Sequence, residues 1–459
     1  MEAHLLPFNQ TDEGGLRNRL VTPENTLAPS LYLHSSLSGA YTEQMTVLND
    51  GNAVERAGDP DYRIAFLQLH GIKTAKGKTR LLKRYIVAVF QTQVLVMYCS
   101  NGPMVWLAGD RSKKKETFRR VNPQGNSREV RRVRNLSVRA LYAIGLDYGV
   151  VKIGILPGNK ATVLDINPSP PLNQEMTRSF TEAILQYSRK LPGMVAKLNQ
   201  VVLGADPEFI LRKPGGDLAM ASDYFPRYGR VGCDAIWQGE DRSAKPLVEI
   251  RPRPTPDPRE LVIRIYKGLI QASRRIKDGR IQWLAGALPH PGFPLGGHIH
   301  FSGVHLNFKL LRALDHYLAL PLMLVEDPKG ARRRPTYGYL GDFRPQFHGG
   351  FEYRTLPSWL VSPTLTKGVL SAAKLVAAKY PLLGADDLNS YVVQKAYYRG
   401  EKDELREIVH GLWNELRSVD GYHRYSRYLD PFYRMIESGK RWNEERDIRP
   451  LWKLPLRKS

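Results

Sequence analysis

The sequence predicts an α+β protein of several domains, and three observations carry that reading. Runs of β-branched and aromatic residues, such as Tyr85–Tyr98, read as strands, whereas apolar residues at helical spacing behind a capping residue, as after Asp257, read as helices. A chain of 459 residues exceeds one ordinary hydrophobic core, and about 100–200 residues per domain gives two to four domains. The 42% hydrophobic and 25% charged content is that of a globular protein and excludes wholesale disorder.

In chain order, the first fifty or so residues are polar and weakly periodic, closing in a turn at Asn49-Asp-Gly-Asn52. Ile64, Leu67 and Leu69 predict a short helix ending near Gly71. Tyr85–Tyr98 predicts one or two strands, followed by basic, exposed stretches over 112–120 and 128–134. A helix is expected at 138–144. Two strands, 150–156 and 161–166, should join at Pro157-Gly158, and a helix should run from 174 to 190.

Beyond residue 200, strands are expected at 206–211, 247–250, 296–301 and 351–355. Asp257-Pro258 opens a helix carrying Leu261, Ile265, Leu269 and Ala272, since Asp caps and Pro suits the first turn. Further helices are expected at 310–325, 364–379 and around Leu405–Leu416, and the basic, aromatic tail shows no clear period. The division that follows is a polar segment over 1–60, a domain over 61–195, a core domain over 200–385 and a helical, basic segment over 386–459.

Lys and Arg number 68 against 45 Asp and Glu, a formal charge of +23, so the protein should attract polyanions. Two cysteines, Cys99 and Cys233, exclude a disulfide framework and a Cys-rich zinc site, and a reducing cytoplasm is the expected setting. The start lacks a basic region followed by an apolar one, and no apolar run is long and clean enough to span a bilayer. A soluble, cytoplasmic protein without a membrane partner is therefore expected; its oligomeric state is left open.

The chemistry concentrates in four short segments with one spacing. Asp206-Pro-Glu208, His298-Ile-His300 and Glu352-Tyr-Arg354 each place acid, histidine or arginine at i and i+2, and Glu249-Ile-Arg251 does the same. Residues i and i+2 of a strand share a face. If the strands share a sheet, that face carries Asp206, Glu208, Glu249, Arg251, His298, His300, Glu352 and Arg354. Facing carboxylates repel unless cations lie between them, and Mg²⁺ commonly joins carboxylates to phosphate oxygens. Arginines add bidentate recognition of phosphate. The spacing points to a metal–nucleotide site. Taken singly, each segment also fits a turn, an exposed strand or a surface ion pair.

In order along the chain, Gly204-Ala-Asp-Pro-Glu-Phe209, Val248-Glu-Ile-Arg-Pro252, Gly296-Gly-His-Ile-His-Phe301 and Phe351-Glu-Tyr-Arg-Thr-Leu-Pro-Ser-Trp359 resemble the phage-type amidoligases. These are COOH–NH2 ligases of type 2 in the glutamine synthetase and glutamate–cysteine ligase superfamily. The resemblance spans roughly 200–385 and implies a curved, largely antiparallel sheet like that of glutamine synthetase. It implies an enzyme that uses ATP and Mg²⁺, with Mn²⁺ as an alternative, to join a carboxylate to an amine through an acyl phosphate. It assigns metal binding to Asp206, Glu208, Glu249, His298 and Glu352, the Asp at 206 replacing the usual Glu. Arg354 matches the phosphate-contacting arginine, with Arg344 and His300 beside the reaction. Arg332 and Arg334, from the run Arg332-Arg-Arg-Pro335, and Arg251 would face the nucleotide. Amino-acid, peptide or protein carboxylates and amines are the implied partners.

Residues 138–149 and Val163-Leu-Asp-Ile-Asn-Pro-Ser-Pro170 resemble the end of an ATP-grasp domain. Lys152 occupies its first acid position and Asp165-Ile-Asn167 its second, so the resemblance implies a degenerate, non-catalytic α/β unit; an unrelated domain remains the alternative. Competing functions are a ligase-fold scaffold without activity and, less favoured, a nucleic-acid-binding protein. The latter rests on Lys113-Lys-Lys115, Arg131-Arg-Val-Arg134 and the tail 422–442.

Overall fold

The computed structural model describes residues 5–6, 20–21, 26–36, 43–75, 79–100 and 116–455. Lys113–Lys115 lie outside them. The chain forms two compact units, 1–194 and 195–459. No helix among the described residues is long and apolar enough to cross a membrane.

The first unit holds a small sheet of β1 (Leu5–Leu6), β2 (Leu31–Ser36) and β3 (Glu43–Leu48). Its larger sheet comprises β4 (Lys83–Phe90), β5 (Gln93–Ser100), β6 (Phe118–Val121), β7 (Tyr148–Leu156) and β8 (Lys160–Asn167). The order is β6-β5-β4-β7-β8 and every pair is antiparallel. The apolar run at 85–98 thus makes two strands, folded back at Gln91, which sits in the left-handed region at φ +53°. The helix expected at 138–144 begins ten residues earlier: it spans Arg128–Ala143 and is capped by Ser127, which accepts the Val130 N–H at 3.1 Å. The exposed arginines of 128–134 lie on its outer turns, which hid the helix in the sequence. A further helix, Gln174–Lys190, has the expected bounds and is capped by Asn173.

The second unit is built on an eight-stranded sheet: β9 (Val202–Arg212), β10 (Leu218–Ala219), β11 (Val231–Cys233), β12 (Leu247–Ile250), β13 (Gln282–Leu284), β14 (Gly297–Ser302), β15 (Phe343–Pro345) and β16 (Phe351–Tyr353). The main path is β11-β12-β9-β14-β16-β15, with β10 and β13 also on β9, and all pairs are antiparallel. This is the α+β arrangement expected.

Alternation along β9 explains its two faces. Leu203, Ala205, Phe209 and Leu211 point one way and are buried, while Gly204, Asp206 and Glu208 point the other. Pro207 lies just past the end of the β12 ladder, which closes at Glu249 opposite Glu208, so its missing N–H interrupts no bond on that side.

Helices bury the apolar side. Pro258–Arg275 starts at Asp257, which accepts the Arg259 N–H, and packs on β9, β11 and β12. Gly268 of this helix lies against Ile250, where a Cβ would be 2.7 Å from its Cγ2. The helix expected at 310–325 contains one widened, π-type turn over Asp315–Ala319. The tail without a clear period forms a helix, Tyr422–Glu437, despite Pro431 inside it. It packs on Pro363–Lys379, where Gly368 leaves room for the Phe432 ring.

Candidate functional site

Strand register gathers the chemistry. His298 stands opposite Asp206 across β14 and β9, and Glu249 opposite Glu208 across β12 and β9. His300 stands opposite Glu352 across β14 and β16, and Glu352 opposite Arg344 across β16 and β15. Cross-strand partners share a face. All four acids and both histidines therefore lie on one side of four adjacent strands, with Arg344 on a fifth.

Local sequence fixes this geometry. Gly204 faces His300, where even a Cβ would stand 3.2 Å from the His300 Cβ. Gly296 lies so close to the His298 ring that a side chain there would collide with it. Trp359, fully buried, fills the space beside Gly297 and donates its indole N–H to the Gly297 carbonyl at 2.8 Å.

The face is crowded with charge and short of partners. His298 Nδ1 lies 3.2 Å from Asp206 Oδ1 and 3.3 Å from Glu352 Oε1. His300 Nε2 lies 3.0 Å from Asp206 Oδ2. Yet these contacts are poorly aligned: Asp206 Oδ1, Glu352 Oε1 and His300 Nε2 are buried without a hydrogen-bond partner. Donor atoms of Asp206, His300 and Glu352 lie within 4.8 Å of one another. Orphaned buried polar atoms are costly, and ligand atoms of three such residues this close together are an arrangement a bound cation would satisfy.

The electrostatics follow from the same crowding. Burial opposes ionisation of Asp206, but His298 and His300 beside it outweigh burial and hold its carboxyl well below the usual range. Burial pushes Glu208 up to about 7 and Glu249 up to about 8, neighbouring acids adding to the effect. Burial also opposes a charged His298, yet Asp206, Glu208 and Glu352 around it raise its value to about 9. Protonated, His298 supplies a positive charge among the carboxylates.

Glu352, with no exposed surface, is held asymmetrically. Its Oε2 accepts from Arg344 at 2.6 Å and from Gln346 at 3.0 Å, while Oε1 faces His298 and, at 3.2 Å, Arg354 Nε. One oxygen is therefore anchored and the other presented. Arg251 pairs with Glu249 and donates to the Arg227 carbonyl at 3.0 Å.

The structure thus brings together Asp206, Glu208, Glu249, Arg251, His298, His300, Arg344, Glu352 and Arg354. Arg332 and Arg334 lie on no strand of this sheet. Arg332 is exposed, and Arg334 is buried, paired with Glu326 and stacked over Tyr397 at 4.6 Å. Arg333 between them donates to the Thr355 and Leu356 carbonyls just after β16. Sequence reasoning missed Gln346, although it sits at i+2 from Arg344 and the same strand rule would have found it. It also gave no role to Ser358, whose hydroxyl donates to the Glu208 carbonyl at 2.5 Å.

Lys152 stands opposite Asp165 across β7 and β8 with 3.2 Å between charges, and Arg63 lies 3.5 Å from the same carboxylate. Of the tail's aromatics, Tyr422, Phe432, Tyr433 and Trp442 are buried in the second unit rather than displayed.

No curated protein matches the chain. Among solved structures, a bifunctional glutathione synthetase from Pasteurella multocida is similar at 9% identity and a TM-score of 0.32. The match covers 58% of this chain and 49% of that one, so the chain spans about half of that protein. The family model described as phage phiEco32-like COOH·NH2 ligase, type 2, matches residues 203–454. That is more than half of the chain, with all four acids and both histidines inside it and the C-terminal helices included. The chain belongs to this family of carboxylate–amine ligases.

Proposed function

We propose that the second unit forms an amide bond between a carboxylate and an amine at the expense of ATP, through an acyl phosphate. The observation that carries this is the convergence of the unpartnered Asp206, His300 and Glu352 atoms on the sheet face. Two oxygen donors and one nitrogen suit Mg²⁺ and, with the imidazole, Mn²⁺. Asp206, His300 and Glu352 would hold one cation, with Glu208, Glu249 and His298 completing the metal-binding face. When bound, a divalent cation there offsets the charge of the transferring phosphoryl group.

The chain's own residues supply the rest. A carboxylate oxygen of the substrate attacks the γ-phosphorus of ATP, and the bond from that phosphorus to the ADP oxygen breaks. Arg344 and Arg354, flanking Glu352, face the phosphoryl oxygens, and Arg251 lies beside Glu249. The amine nitrogen then attacks the acyl carbon, inorganic phosphate leaves, and the nitrogen gives up a proton. The first unit contributes no second metal site on this reading, because Lys152 already neutralises Asp165.

The test is Mg²⁺-dependent release of ADP and phosphate from ATP with pooled amino acids and peptides, for wild type and Glu352→Gln. Substrate-stimulated release that the variant lacks supports the ligase. Absence of both nucleotide binding and release in the wild type overturns it in favour of a scaffold.

A further inference from the structure

We propose that Glu444, in the C-terminal segment, is a positioning residue for the metal-binding face: it seats the turn Gly286–Leu288 and, through that turn, Glu208 and the start of β14. The inference rests on the ligase reading for its functional consequence and on geometry for its mechanism.

Glu444 is completely buried, yet its bonds come from main-chain N–H groups and one indole rather than from a basic side chain. The Ala287 N–H donates to Oε1, the Leu288 N–H to Oε2 at 2.9 Å, and Trp442 Nε1 lies 3.3 Å from Oε1. Gly286 adopts φ +128°, and any side chain there would collide with the carboxylate. A buried carboxylate without a cationic partner is expensive, and burial pushes this one up to about 7. Mere packing would be served better by an apolar residue.

Two routes lead from the turn to Glu208. The Ala287 carbonyl accepts the Leu295 N–H at 2.9 Å, and the next residue, Gly296, donates to Glu208 Oε2 at 2.7 Å. Gly296 also takes the Glu208 N–H on its own carbonyl at 3.0 Å. On the second route the Gly286 carbonyl accepts the Ser358 N–H at 3.0 Å, and the Ser358 hydroxyl holds the Glu208 carbonyl. The side chain and the main chain of Glu208 are thus tied, through Gly296 and Ser358, to the turn that Glu444 holds. The next acid is a natural control: Glu445 pairs at the surface with Lys329 and Arg212 and makes no bond to the turn.

The experiment compares wild type, Glu444→Ala, Glu444→Gln and Glu445→Ala. Amide hydrogen exchange of the metal-free proteins is read over 286–298, Mn²⁺ binding by titration calorimetry, and ADP release as above. Glu444→Ala should exchange faster at Ala287, Leu288, Leu295 and Gly296, with the helix Pro363–Lys379 unchanged. Its Mn²⁺ affinity should fall about tenfold or more, the usual cost of losing a residue that orients a ligand. Glu444→Gln keeps one acceptor and should recover part of the loss, and Glu445→Ala should match wild type. Wild-type exchange over 286–298 together with wild-type Mn²⁺ affinity in Glu444→Ala overturns the proposal. If that variant does not fold, the same result in Glu444→Gln overturns it. A wild type that neither binds Mn²⁺ nor releases ADP defeats the ligase reading, while the exchange data still decide whether Glu444 holds the turn.

Discussion

Two antiparallel sheets in this chain treat charge in opposite ways. In the first unit the register sets Lys152 against Asp165, cation against anion, and the pair is complete as it stands. In the second unit the register sets Glu249 against Glu208, and packs Asp206 and Glu352 around the same histidines. Like charges directly opposite one another weaken a sheet. The second sheet therefore retains an electrostatic debt that a proton on His298 relieves in part and a bound cation would relieve further. Both sheets contain acids on strands; strand pairing decides which of them becomes a binding face.

The largest test of this contrast removes one charge from the acid face. Glu352→Gln keeps the shape and should lower substrate-stimulated ADP release about a thousandfold, the scale of deleting one electrostatic stabiliser. Its unfolding midpoint should fall, because the buried carboxylate no longer offsets the charges of Arg344, Arg354 and His298 around it. Undiminished release would break the comparison.

A buried charge of another kind sharpens it. Lys374, with no exposed surface, donates to the Val201 carbonyl just before β9, and burial pushes its amine down to about 8 despite Asp257 nearby. A folded value below the unfolded value of about 10.4 means that the unfolded state binds more protons between the two. The contribution to stability is complete above the unfolded value and is lost as pH falls through about 8. Wild type should therefore gain up to about 3 kcal/mol from pH 8 to 10.5 relative to Lys374→Met. Denaturant melts of both proteins at these pH values measure the difference; parallel pH profiles would show that Lys374 is not held as described.

Smaller effects are expected at the edges. Arg344, more than half exposed yet bonded to Glu352, should cost about tenfold in turnover when changed to Ala, with the fold intact. Steady-state kinetics decides this. Lys152→Met should alter stability by no more than about 1 kcal/mol, since the pair with Asp165 is partly solvated, and should leave ADP release unchanged. A large loss of release in that variant would give the first unit a part in the chemistry.

The acids and histidines were legible because a strand repeats every two residues, so Asp206-Pro-Glu208 and His298-Ile-His300 declare a common face by spacing alone. Their partners were not legible. That His298 meets Asp206 rather than Gly204 depends on a pairing between residues 92 positions apart, which no local pattern encodes. Glu444 and Ser358 escaped for the same reason, since their roles lie wholly in tertiary hydrogen bonds. The helix Tyr422–Glu437 escaped for a different one. Its buried Tyr422, Leu429, Phe432, Tyr433 and Ile436 do recur at helical spacing, but Pro431, normally a helix breaker, interrupts the reading.

The placement of β9 has a consequence for how the protein moves. This strand is paired on both sides, to β12 and β14, and also carries β10 and β13. Segments so enclosed open only when the whole domain opens, whereas edges fray on their own. Asp206 and Glu208 should therefore keep their spacing for as long as the domain stays folded. The hairpin of β15 and β16 lies at the rim, and its tip, Phe347, is fully exposed. Slow motion at this site is expected at the rims of the sheet, β15 with Arg344 at one end and β11 beside Glu249 at the other, while the floor keeps its spacing.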